Sequence, residues 1–164
     1  MTDQSQRQST TEETVLDRAV LDLVLQTGHP WTEAELARAV PGRGEVAAAL
    51  SRLKDDGLVN RWGEFAAASY AALRILGINH GTDSGSAQEH REESTVLQLM
   101  LATTDGHRPL SREEVVRELA GSKKRKRNTV GDAIERLVAA GLLNAEGDML
   151  FLSKATLRYD HLTV

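Results

Sequence analysis

An internal duplication constrains this chain more than any other feature. Displaced by 84 positions, residues 44–74 lie on residues 128–158 without a gap. Identical pairs include Val46 and Val130, Ala49 and Ala133, Arg52 and Arg136, Leu53 and Leu137, and Gly57 and Gly141. They continue through Leu58 and Leu142, Asn60 and Asn144, Gly63 and Gly147, Ser69 and Ser153, and Arg74 and Arg158. Upstream the displacement becomes 79, pairing Thr32 with Ser111, Glu35 with Glu114 and Arg38 with Arg117. The second copy therefore carries five extra residues, and they fall where the run Lys123-Lys124-Arg125-Lys126-Arg127 lies. A chain of 164 residues built this way makes two units of about 75 residues, near the lower limit for a self-sufficient core.

Each copy carries the same sequence of local signals. A first amphipathic helix is expected from about Glu12 to Gln26, with Val15, Leu16, Ala19, Val20, Leu23 and Val24 forming an apolar stripe. Its counterpart uses Val96, Leu97, Met100 and Leu101. A short second helix opens at Thr32-Glu33-Ala34-Glu35 or Ser111-Arg112-Glu113-Glu114. Both are capping boxes, in which the hydroxyl takes a free amide three residues on and the glutamate reaches back. Third helices are expected over Glu45–Asp56 and Thr129–Ala140, stopped by Gly57 and Gly141. Tight turns at Gly63-Glu64 and Gly147-Asp148 then fold short strands back as hairpins. The returning arm Phe65–Ala68 is alanine-rich and weak as a strand, whereas Met149–Leu152 is apolar. Terminal helices over Ser69–Leu76 and Ser153–Leu162 close the copies.

The stretches Thr32–Leu36, Val46–Leu53 and Gly57-Leu58-Val59 with their hairpin resemble bacterial winged-helix transcriptional regulators. Ser111–Val115, Val130–Leu137 and Gly141-Leu142-Leu143 resemble them equally. The resemblance implies a mainly α fold with small β-hairpins, arranged as two tandem winged helix-turn-helix domains. The expected division is a disordered tail at 1–11, a first domain at 12–78, a linker at 79–88 and a second domain at 89–164. An Arg-, Ala- and Leu-rich composition is associated with a bacterial source.

The resemblance also implies that the third helix enters the major groove of DNA while its flanks touch phosphates. In the second copy the five cations of the loop Gly121–Arg127 stand before that helix, and Asn128 and Thr129 open it. Arg136, seven residues on, lies along nearly the same helical face. The expected DNA-binding residues are thus Lys123, Lys124, Arg125, Lys126, Arg127, Asn128, Thr129 and Arg136. The alternative for the basic run is a solvated loop that offsets Glu113, Glu114 and Glu118, or a nuclear-import signal.

The first copy offers less to DNA. Pro41-Gly42-Arg43-Gly44-Glu45 precedes its third helix, followed by Ala47, Ala48 and Ala49. Only Arg43, Arg52 and Lys54 remain as phosphate contacts, and small alanines favour helix packing, which points to a homodimer or protein partner through this domain. Trp31 is expected as a hydrophobic staple, and Trp62 as a packed indole at the hairpin tip.

Composition bounds the remaining classes. Cysteine is absent, so disulfides and thiolate chemistry are excluded. His29, His80, His90, His107 and His161 show no close metal-ligand spacing, and no phosphate-binding glycine loop occurs. No cofactor is expected, nor an enzyme. No stretch reaches the roughly 18 apolar residues of a membrane span, and Met1–Glu13 lacks a signal-peptide core, so a cytoplasmic protein without a membrane partner is expected. Aromatic content of 4% disfavours single-strand binding by stacking. The net charge of −4 is unusual for a nucleic-acid coat. Two functions stay open: a transcriptional regulator binding double-stranded DNA through its second module, and a tandem winged-helix adaptor that binds protein.

Overall fold

The computed structural model describes residues 3–40, 45–81, 86–103 and 108–163, with side chains from Thr11 onward. The first repeat runs α1 (Asp3–Thr27), β1 (Trp31–Thr32), α2 (Glu33–Ala39), α3 (Val46–Asp55), β2 (Val59–Trp62), β3 (Phe65–Ala68) and α4 (Tyr70–His80). The second repeats that order: α5 (Ala87–Ala102), β4 (Leu110–Ser111), α6 (Arg112–Ala120), α7 (Lys124–Ala139), β5 (Leu143–Glu146), β6 (Met149–Leu152) and α8 (Lys154–Thr163). Among the described residues the fold is mainly helical with two small antiparallel sheets of three strands each, ordered β1-β3-β2 and β4-β6-β5. The third strand of each sheet is a two-residue segment that ends on the N-cap of the capping box, pairing Trp31↔Ala66 in one and Leu110↔Leu150 in the other.

Two compact units form, Met1–Leu73 with Arg158–Val164, and Arg74–Leu157. In unit 1 the core is Val20, Leu21 and Val24 of α1 with Leu36, Leu50, Leu53, Leu58 and Ala66. Unit 2 buries Val96, Leu97 and Met100 with Val115, Ile134, Leu137, Leu142 and Leu150 at equivalent places. Burial of each such large side chain stabilises its unit by about 1.5–3 kcal/mol.

The expected helix stops are present in detail. Gly57 and Gly141 take φ of 79° and 73°, a region costly for any residue with a Cβ. Leu58 N–H donates to Leu53 at 2.8 Å, and Leu142 N–H to Leu137 at 2.9 Å, closing each third helix in a Schellman turn. The buried Ser69 and Ser153 hydroxyls then cap the terminal helices by accepting from Ala72 N–H at 3.1 Å and Thr156 N–H at 3.2 Å.

Four boundaries differ from expectation. Helix α1 begins at Asp3, so residues 3–11, expected as a disordered tail, are helical. Of the expected linker, Asn79 and His80 belong to α4, and a third capping box, Ser86 with Glu89, starts α5 at Ala87. The linker residues 82–85 lie outside the described residues, as do Arg43 and His107. Helix α7 begins at Lys124, because the expected basic loop is largely its first turn. Trp62 is not packed: it is 48% exposed opposite Phe65 at the turn end of the β2–β3 pair.

Candidate functional site

The geometry of the basic run follows from how α6 ends. Gly121 at φ 56° accepts the chain reversal, and its N–H donates to Arg117 at 2.9 Å. Lys123 becomes the N-cap of α7 without a side-chain cap bond. Arg127 N–H donates to Lys123 at 3.0 Å, so Lys124, Arg125, Lys126 and Arg127 occupy the first helical turn. The free amides of that turn already carry partial positive charge, and each added cation there is disfavoured by about 0.3–1 kcal/mol when exposed. Helix dipole and side chains thus superpose fields of one sign, and only an anion relieves both.

The eight expected contact residues divide into two groups. Lys123, Lys124, Arg125, Lys126 and Asn128 are exposed, and Thr129 is half-buried with its hydroxyl donating to Lys126 carbonyl at 2.9 Å. Arg127 is instead a latch. Its Nη2 donates to both Glu113 oxygens at 2.7 and 2.9 Å, and its Nη1 to Gly121 carbonyl at 3.1 Å. Arg136 is turned inward, with Nε donating to Glu93 Oε1 at 2.6 Å. The expectation of a shared cationic face joining Arg136 to the run is therefore corrected: a buried carboxylate draws that side chain inside. Beyond Asn128 the exposed face of α7 carries Asp132 and Glu135, the latter paired with Arg112.

Sequence reasoning missed the buried carboxylates. In unit 1, Asp17 is 0% exposed and receives Arg52 in a two-pronged pair, Nε to Oδ2 at 3.0 Å and Nη2 to Oδ1 at 2.6 Å. Arg158 Nη2 is its second donor. Hydrogen bonding to Asp17 holds the Arg52 guanidinium above its ordinary pKa. In unit 2, Glu93 is likewise 0% exposed, receiving Arg136 and, at 2.8 Å, Arg74 Nη2. The available signal was an acid inside an apolar stripe, combined with the paired identities Arg52/Arg136 and Arg74/Arg158.

In unit 1, Glu33, Glu45 and Glu64 line a groove beside the start of α3 with Ala34, Ala37 and Ala47, and Glu33 accepts from Arg61 at 2.9 Å. Arg52 is committed to Asp17, which leaves Lys54 as the exposed cation of α3. No family model, characterised protein or solved structure matches the chain.

Proposed function

We propose that the chain is a tandem winged helix-turn-helix protein that acts as a transcriptional regulator, binding double-stranded DNA through unit 2. The observation that carries this reading is the exposed cluster Lys123, Lys124, Arg125 and Lys126 on the first turn of the third helix of its repeat. Cations and free amides together suit a phosphate, and Asn128 in the next turn is the side chain able to reach a base edge. Asp132 and Glu135 keep the later turns of α7 away from the phosphates. Contact is therefore through the helix start, dominated by phosphates, with sequence selection concentrated on Asn128.

The test is fluorescence anisotropy with a mixed-sequence duplex across a salt series. Wild type should lose about 0.9 log unit of affinity per log unit of salt for each phosphate neutralised. Changing Lys123, Lys124, Arg125 and Lys126 to Ala should flatten that slope, while leaving the Arg127 latch in place. Absence of binding at low salt, or an unchanged slope, rejects the reading. A protein-binding adaptor is the second reading, favoured by Asp132 and Glu135 on α7 and by the exposed Trp62–Phe65 pair of unit 1.

A further inference from the structure

We propose that a cavity of about 690 Å³ in unit 2 binds a small amphipathic organic anion, one acidic group on an apolar body. Its regulatory consequence rests on the DNA reading above: an occupant would draw Lys123, Arg125 and Lys126 away from phosphates.

The cavity is bounded by three helices. Helix α5 contributes Arg91 and Thr95, α6 contributes Leu119, and the start of α7 contributes the three cations. Leu119 and the buried Val130 supply apolar surface beside the charged groups. The volume lies within the usual range of small-molecule sites, roughly 300–1,000 Å³, which combine apolar lining with a few convergent polar groups. Charge in the cavity is unbalanced. Two carboxylates line it, Glu118 and Glu92, the latter accepting from Gln88 at 2.9 Å. Four cations, Arg91, Lys123, Arg125 and Lys126, face these two carboxylates and leave an excess of positive charge.

The first repeat serves as an internal reference. Asp17 and Glu93 are equivalent, followed at equal spacing by the buried pairs Val20/Val96, Leu21/Leu97 and Val24/Met100. That register places Arg91 where the first repeat has Val15, which is 63% exposed. Lys123, Arg125 and Lys126 fall where the second repeat carries its five extra residues. Two departures distant in sequence thus converge on one cavity. Contact with a phosphate backbone requires neither Arg91 nor an apolar lining; an amphipathic anion uses both.

The experiment titrates full-length protein, without DNA, with 8-anilinonaphthalene-1-sulfonate and follows its fluorescence. Saturable 1:1 binding is expected, with amide resonances of α5 and of the α7 start shifting together. Arg91→Ala should weaken binding by about tenfold, as loss of one charge-assisted hydrogen bond implies, and Arg91→Lys should restore part of it. Leu119→Glu, checked for native circular dichroism, should abolish it. Inorganic phosphate should compete only at far higher concentration, since it lacks the apolar body. Unsaturable binding, or equal affinity in wild type, Arg91→Ala and Leu119→Glu, overturns the site. A separate anisotropy titration on duplex DNA reads regulation. The sulfonate should lower DNA affinity of wild type but not of Arg91→Ala. Sulfonate binding as expected, with DNA affinity unaffected, keeps the site and overturns the regulatory consequence.

Discussion

Asp17 and Glu93 each hold an ionised group where a repeat of this size would otherwise bury an aliphatic side chain, and each faces two arginines. Two ions taken from water are offset only while their hydrogen bonds are complete. Glu93→Gln removes the charge but leaves Arg74 and Arg136 in place, and it should destabilise unit 2 by about 3–5 kcal/mol. Urea denaturation should show that as a lower midpoint with an unchanged slope. Arg136→Ala tests the structural role of this arginine against a contact with DNA in the proposed function. It should lower the urea midpoint and leave the salt dependence of DNA binding as in wild type. An altered salt slope would return Arg136 to the DNA face. In the sequence, Arg136 is visible as a repeated residue on a helix, and helical spacing alone joins it to Asn128. Only its partner in α5 shows which way it turns, and that partner lies 43 positions away.

Two of the three helix starts set by a capping box were legible, whereas ends set by tertiary packing or charge were not. The boxes at Thr32 and Ser111 start α2 and α6 where their sequence places them. The same pattern at Ser86-Ala87-Gln88-Glu89 stood in the expected linker, masked by its Gly/Ser composition. Four successive cations offer no apolar period and oppose the helix dipole, so the first turn of α7 read as a loop. Alanine-rich β3 is a poor strand by propensity, yet it is the central strand of its sheet, paired on both sides. Two element-level outcomes follow. Gly141→Ala forces a Cβ into φ of 73° and should cost about 1–2 kcal/mol, read as a lower urea midpoint. The three box glutamates, Glu35, Glu89 and Glu114, are held below their ordinary pKa of 4.5, first by the N-cap backbone N–H and then by the N-cap hydroxyl. A carboxylate with a lowered folded pKa contributes its full stability above the unfolded value and loses it as pH falls through the folded one. Stability should therefore decline below about pH 4.5, and Glu114→Gln should make that decline shallower between pH 5 and 3. An unchanged acid limb in the Gln variant would mean the box bond does not form.

At the scale of the whole molecule, the duplication is readable in sequence, but the membership of the two units is not. A tandem reading closes each repeat with its own terminal helix. The units instead place Arg158–Val164 with Met1–Leu73, and Arg74 with the second repeat. The repeat identity Arg74/Arg158 reports that these arginines do the same work, and pairing each with a carboxylate needs the fold. Unit 1 therefore depends on the last residues of the chain. Arg158 is the second donor to Asp17 and lies 3.3 Å from Asp56, while Tyr159 and Leu162 are 6% and 3% exposed. Deleting residues 158–164 removes two buried side chains, each worth about 1.5–3 kcal/mol, together with one arm of the Asp17 clamp. Hydrogen exchange should then accelerate in α1 around Asp17–Val24 and in α3, while α5 and α7, clamped through Glu93, keep more of their protection. The Arg158→Ala single variant should produce the same pattern at smaller amplitude. If the truncation loosens α5 and α7 more than α1 and α3, the terminal segment supports the repeat it belongs to in sequence, and Asp17 is held by Arg52 alone.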